Sequence, residues 1–146
     1  MFAIRRIDHV AVCVPDVDLA LARWRDLFGL EARDRGVSDE LRTEAALLPL
    51  GESHIELVSP HGENAGLARF LEKRGPGLHH VALEVEGLDG ALALLRAIGV
   101  PLVDVTPRIG ARGHRVAFMH PRATGGVLVE LIERRSTRSS PGEEAP

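Results

Sequence analysis

Apolar and polar positions alternate along this chain in two rhythms, one of period two and one near 3.6, and their order marks out the elements. Ile7 to Val14 (IDHVAVCV) is β-branched and closed by Pro15-Asp16, which predicts a strand. Asp16 or Asp18 then stands where a helix N-cap belongs. Leu19, Ala22 and Leu27 supply part of an apolar face up to Phe28, and Gly29 ends the helix. Leu30 to about Gly36 is a weaker strand. Thr43–Leu50 and Ser53–Ser59 form a hairpin around Gly51-Glu52. A short helix over Leu67–Arg74 is stopped by Gly75-Pro76-Gly77.

The pattern then starts again. His80–Val85 (HVALEV) copies His9–Val14 (HVAVCV) at an offset of 71 (80 against 9). The same offset pairs Asp18, Ala20, Leu21, Ala22 and Arg25 with Asp89, Ala91, Leu92, Ala93 and Arg96. Leu102–Val105, Arg115–Met119 and Val127–Ile132 are three further strands. Each half therefore reads strand–helix–strand–strand–strand, and neither half can cover its own sheet. The fold class this predicts is α+β: two tandem βαβββ modules forming a curved mixed-sheet cleft. Module one spans about 5–62 and module two about 76–134, in a single domain of 1–134. Residues 135–146 carry Ser136, Thr137, Ser139, Ser140, Pro141, Gly142, Glu143 and Glu144 and are expected to form a disordered tail.

Composition narrows the functional classes. An apolar fraction of 45% over 146 residues is enough for a real core, and a formal charge of −3 argues against nucleic acid as a partner. The single cysteine, Cys13, lies in an apolar run, so it is a packing thiol and no internal disulfide forms. The N-terminus shows no signal-peptide core, and no apolar run approaches the roughly 20 residues that span a bilayer. The expected setting is the cytoplasm, with no membrane partner.

The duplication places chemistry in matched positions. His9 and His80 open equivalent strands. Glu56 and Glu130 sit in the last strand of each half, 47 and 50 residues further on (56 from 9, 130 from 80). Leu128, Glu130 and Ile132 share one strand face, so Glu130 is a charge set among hydrophobes. Such a carboxylate is normally paired or metal-bound. Two imidazoles and two carboxylates suit Co²⁺, Mn²⁺, Ni²⁺, Zn²⁺ or Fe²⁺. His79 is expected on the opposite face from His80, either backing a ligand or serving as a structural residue. His54 shares a face with Glu56, and His61, His114 and His120 fall in loops or at strand ends.

Several stretches carry a resemblance. They are His9-Val-Ala-Val, Leu48-Pro-Leu-Gly with Ile55-Glu56-Leu57, and Phe70-Leu-Glu-Lys-Arg-Gly-Pro-Gly-Leu-His-His-Val81. Pro107-Arg-Ile-Gly-Ala-Arg-Gly113, Val116-Ala-Phe-Met-His-Pro121 and Thr124-Gly-Gly-Val-Leu-Val-Glu-Leu131 follow. From about Ile7 to Glu133 the chain resembles the vicinal oxygen chelate superfamily, and within it the methylmalonyl-CoA epimerases. The resemblance implies metal ligation by His9, Glu56, His80 and Glu130, with Glu56 at a position where relatives carry Gln or Glu. It implies that Glu44, with Glu130, moves protons at the α-carbon while the metal stabilises the enolate as a Lewis acid. It further implies an acyl-CoA substrate, Co²⁺ as the first choice of ion ahead of Mn²⁺, Ni²⁺ or Zn²⁺, and a homodimer. A glyoxalase-I-type lyase and a non-catalytic small-molecule-binding member of the superfamily are the alternatives.

Overall fold

The computed structural model describes residues 1–135; apart from Arg135, the expected tail lies outside the described residues. The elements run β1 (Ile4–Cys13), α1 (Val17–Phe28), β2 (Asp34–Ser38), β3 (Thr43–Leu50), β4 (Ser53–Pro60), α2 (Ala65–Arg74), β5 (Gly77–Val85), α3 (Leu88–Ala97), β6 (Arg108–Ile109), β7 (Arg115–Met119) and β8 (Val129–Glu133). One eight-stranded mixed sheet holds every strand, in the order β2-β3-β4-β1-β5-β8-β7-β6. Each half reads the same way outward from its first strand, and β1/β4 and β5/β8 are the parallel pairs.

The halves join through antiparallel β1 and β5. His9 pairs with Ala82, Val10 with Val81 and Ala11 with His80, so a pseudo-two-fold passes through the Val10–Val81 pair. The outer registers repeat as well: Ala11 faces Glu56 across β1/β4, and Ala82 faces Glu130 across β5/β8. Matched backbone therefore delivers matched side chains to the centre of the sheet.

Helix α1 is capped by Asp16, whose Oδ1 accepts from the Leu19 amide at 3.0 Å, and by Gly29 in the left-handed region at φ 68°. Its inward face is Val17, Ala20, Leu21 and Trp24, packed on Ala46, Leu48 and Leu57. Leu19 and Leu27, expected on that face, are exposed. Helix α3 packs Leu88, Leu92 and Leu95 on Val85, Ala117 and Leu131. Each fully buried leucine adds about 1.5–3 kcal/mol of burial. Helix α2 lies on the concave side, where Leu67 meets Ala11, Cys13, Ala45 and Val58, and Cys13 is buried.

The strand expected at Leu102–Val105 is reduced to one bridge, Leu102 to Met119, and the outermost strand is Arg108–Ile109. The amides of Val103 and Asp104 both donate to the Phe118 carbonyl, so no ladder continues there. The two sheet edges instead approach each other. Gly36 of β2 passes the Ala111 carbonyl so closely that a Cβ would stand 2.2 Å from the oxygen. Beside it, Ser38 Oγ donates to the Ile109 carbonyl at 2.6 Å. This seam bends the sheet into the expected cleft.

Candidate metal centre and active-site pocket

His9 and His80 meet across the β1/β5 ladder, and Glu56 and Glu130 reach them from β4 and β8 on either side. His9 Nε2 lies 3.2 Å from His80 Nε2, 3.4 Å from Glu56 Oε2 and 3.8 Å from Glu130 Oε1. His80 Nε2 lies 3.4 Å from Glu130 Oε2 and 4.0 Å from Glu56 Oε1. Ligand atoms of His9, Glu56 and His80 all fall within 4.8 Å of one another. His9, His80 and Glu130 are buried.

Two β-bulges shape this centre. Along β1/β5 the register slips between Ile7 and His9, and again at His79, where Ala11 pairs with His80 but Val12 with Leu78. Asp8 and His79 are thus the extra residues, at equivalent points of the two halves. A bulge re-aims side chains that strict alternation would send elsewhere. His79 accordingly lines the same cavity as His80, where a regular strand would set the two on opposite faces. Asp8 Oδ2 accepts from His9 Nδ1 at 2.7 Å, and His79 Nδ1 lies 2.8 Å from His80 Nδ1. Asp8 is fully buried, and it also accepts from Arg112 at 2.7 Å and Arg134 Nε at 2.8 Å.

The electrostatics follow. Burial alone would raise Asp8, but the His9 hydrogen bond and the Arg112 and Arg134 cations hold it well below the usual carboxylate range. An ionised carboxylate only accepts, so His9 Nδ1 is the donor and His9 Nε2 presents its lone pair to the centre. That lone pair faces a second ring nitrogen and two carboxylates. Such a cluster calls for positive charge. Burial opposes a charged imidazole, yet Glu56, Asp8 and Glu130 raise His9 to about 9. Burial likewise opposes a charged Glu130, but His80 and His9 outweigh it and lower its pKa. Two ring nitrogens and the Glu56 carboxylate grouped this closely, with Glu130 against both rings, fit a divalent first-row ion.

The centre forms the floor of a cavity of about 300 Å³. Ala45, Val58, Leu67, Val116, Phe118 and Ile132 give it an apolar wall, and Arg108 and Arg112 bring cations to it. Such a mixture suits a small ligand with an anionic end. The loop after β7 is a local device. Thr124 Oγ1 accepts from the Val127 amide at 3.0 Å, turning the chain so that Leu128 and then Glu130 of β8 reach the cavity.

Glu44 is not part of this pocket. On β3 the lining residues are Thr43 and Ala45, and Glu44 between them points to the opposite face. There its Oε1 accepts from Arg35 at 3.1 and 2.5 Å, and Arg35 also bonds Asp18 of α1. Strand alternation thus sets Glu44 off the cavity lining in this structure, on the face that carries Arg35. Another carboxylate, Glu40 in the β2–β3 turn, lies next to the cavity without lining it. Its Oε2 accepts from the Ile109 amide at 2.8 Å, next to the lining residues Leu41, Arg108 and Gly110. Nothing in local sequence separates Glu40 from Asp39 beside it; only the approach of β6 does. Of the other histidines, His114 lines the cavity, His54 Nδ1 bonds the Asp8 carbonyl, and His120 caps the short 3-10 helix Pro121–Ala123.

Comparison with known proteins agrees with this geometry. Residues 8–118 match the model of the Glyoxalase/Bleomycin resistance protein/Dioxygenase superfamily. The ethylmalonyl-CoA/methylmalonyl-CoA epimerase of Cereibacter sphaeroides is 37% identical over 130 residues, covering 88% of this chain and 97% of that protein. The crystal structure of methylmalonyl-CoA epimerase from Mycobacterium tuberculosis superposes with a TM-score of 0.84 at 36% identity, covering 92% of this chain and 93% of the other. A methylmalonyl-CoA epimerase in complex with methylmalonyl-CoA and NH4+ gives a TM-score of 0.86 at 31% identity, covering 92% and 97%. On its fold, the duplicated centre and these similarities, the chain belongs to the Glyoxalase/Bleomycin resistance protein/Dioxygenase superfamily and, within it, to the methylmalonyl-CoA epimerases.

Proposed function

We propose that the protein is an isomerase that interconverts (2R)- and (2S)-methylmalonyl-CoA by moving the α-proton. The observation that carries this reading is the convergence of His9, His80, Glu56 and Glu130 on the floor of a cavity whose wall also holds Arg108 and Arg112. Relatives that match nearly the whole chain are named for this activity.

His9, Glu56, His80 and Glu130 would hold the divalent ion. When bound, it supplies Lewis acidity to the thioester carbonyl and the free carboxylate of the substrate. The apolar wall excludes water around the reacting carbon, and Arg108 and Arg112 offer cations to its anionic groups. Glu130, kept ionised by the two imidazoles, takes the α-proton from one face. The electron pair left behind spreads onto the thioester oxygen. Inversion also requires a proton delivered to the opposite face of that carbon, and Glu44 and Glu40 are the two carboxylates to be tested for it.

The test is a coupled assay on each methylmalonyl-CoA epimer, with α-proton exchange followed in deuterated water. Wild type exchanges and inverts both epimers. Glu130→Gln loses both. Of Glu44→Gln and Glu40→Gln, the one that removes the second base keeps exchange of one epimer and loses inversion, and the other keeps both. Full inversion by Glu130→Gln, or by both Glu44→Gln and Glu40→Gln, ends the two-base assignment. Activity that survives complete metal removal by EDTA ends the metal reading. The same reading takes Co²⁺ as the ion, a homodimer as the assembly and the cytoplasm as the location. Metal analysis, light scattering and cell fractionation address these in turn. No helix among the described residues is long and apolar enough to cross a membrane. Glu56, as the second carboxylate, also suits a glyoxalase-I-type lyase, so a glutathione hemithioacetal is assayed alongside.

A further inference from the structure

Each histidine of the centre follows the extra residue of a β-bulge, and in each case that residue touches the histidine's outer nitrogen. In a regular strand, residues 8 and 9, or 79 and 80, would point to opposite faces. The bulge is what lets them meet. Its cost is one ladder position in each half at the middle of the sheet, in the same place twice.

The two partners are chemically unlike. Asp8 is a fully buried anion with three donors. Its Oδ2 takes His9 Nδ1 and Arg112, both at 2.7 Å, and its Oδ1 takes Arg134. Arg112 belongs to the cavity wall and Arg134 follows β8, so Asp8 ties His9 to two distant segments. His79 has a single side-chain hydrogen bond among the described residues, to His80, and an edge contact with Phe70 of α2 at 5.0 Å between ring centres. A charge-assisted bond is shorter and about twice as strong as a neutral one. Fixing the outer nitrogen of an imidazole sets which nitrogen keeps its lone pair.

We propose that Asp8 and His79 are positioning residues of unequal strength: each accepts the Nδ1–H of the histidine that follows it, leaving both Nε2 lone pairs on the shared centre, with Asp8 the firmer holder. The consequence for metal affinity rests on the metal reading above; the tautomers do not.

Two measurements test this. The first is long-range ¹H–¹⁵N NMR of the metal-free protein, recorded at an alkaline pH where neither ring shows the doubly protonated ¹⁵N pattern. The second is Zn²⁺ affinity by competition with a chromophoric chelator. In the wild type both His9 and His80 are expected as the Nδ1–H tautomer. Asp8→Ala is expected to mix the His9 tautomers and weaken Zn²⁺ by about 10- to 100-fold. Asp8→Asn, whose amide oxygen still accepts, restores most of both. His79→Ala mixes the His80 tautomers and weakens Zn²⁺ less than tenfold, and His79→Gln restores it. Asp8→Ala strands two arginines; should it fail to fold, Asp8→Asn and the His79 pair decide. A wild-type His80 protonated on Nε2 overturns the proposal. So does a His79→Ala protein with unchanged tautomer and affinity. A wild type that takes up no Zn²⁺ sinks the metal reading while the tautomers still decide this one.

Discussion

The two halves of the sheet are alike in backbone and unlike in side chains. Strand order, parallel pairs, central register and the bulges at Asp8 and His79 repeat about the Val10–Val81 pair. Yet β1 sets a carboxylate behind its histidine and β5 an imidazole. Helix α1 starts on an Asp16 cap, while α3 starts on Gly87 with no side-chain cap. Strand β2 has five residues and β6 has two. Duplicated backbone decides where groups stand; divergent side chains decide what each does there. An active centre that must treat two faces of one carbon differently needs that divergence.

The sharpest way to break the comparison is to change the two equivalent carboxylates. If the halves are chemically unequal, Glu130→Gln lowers kcat by about 10³-fold or more, a range seen when a directly acting group is removed, while Glu56→Gln costs about tenfold. Equal losses in steady-state kinetics would restore the symmetry. Next in size is the seam between the halves. Gly36→Ala pushes a methyl group against the Ala111 carbonyl and is expected to cost about 1–3 kcal/mol in urea unfolding. An unchanged midpoint would mean the seam gives freely. The helix starts come third. Asp16→Ala removes the Leu19 cap and should cost about 1 kcal/mol by the same measurement, with activity per folded molecule unchanged.

The smallest effect is one of pH. His114 sits between Arg112 and Arg134 on one side and Asp8 and Asp34 on the other; burial first, then the Arg112 charge, lowers its pKa. Its Nδ1 accepts the Arg135 amide at 3.1 Å, which needs the neutral ring. The unfolded chain therefore takes up the proton first, and stability present above the free imidazole value near 6.5 is lost as pH falls below it. Thermal melts of wild type and His114→Gln should converge or cross between about pH 7 and 5. Parallel curves would remove His114 from the account.

Much of this arrangement is readable in the sequence, because HVAVCV and HVALEV mark the two central strands directly. The face shared by Leu128, Glu130 and Ile132 is the face that lines the cavity. The misses have physical causes. Helix α1 carries two sets of apolar residues at helical spacing, and only packing on Ala46, Leu48 and Leu57 selects Val17, Ala20, Leu21 and Trp24 over Leu19 and Leu27. Leu102–Val105 has strand-like residues but a single bridge. Glu44 and His79 are placed in opposite ways: alternation holds at Glu44 and turns it from the cavity lining, whereas a bulge suspends alternation at His79. Asp8 carried a usable signal, a charge in an apolar run that occupies the same place in its repeat as His79 in the other.

Strand β1 has one more property, and it concerns synthesis. It is hydrogen-bonded on one edge by β4 and on the other by β5, from opposite halves of the chain. While residues 77–85 are still inside the ribosome, β1 has an unsatisfied edge with His9 on it. An open edge of this kind recruits any strand of suitable pattern. The homologous strand of another nascent copy offers the same HVA-type pattern as β5. Slow emergence of the second half therefore invites exchange between chains, and the antiparallel pairing of β1 with its own β5 is the event that closes that route.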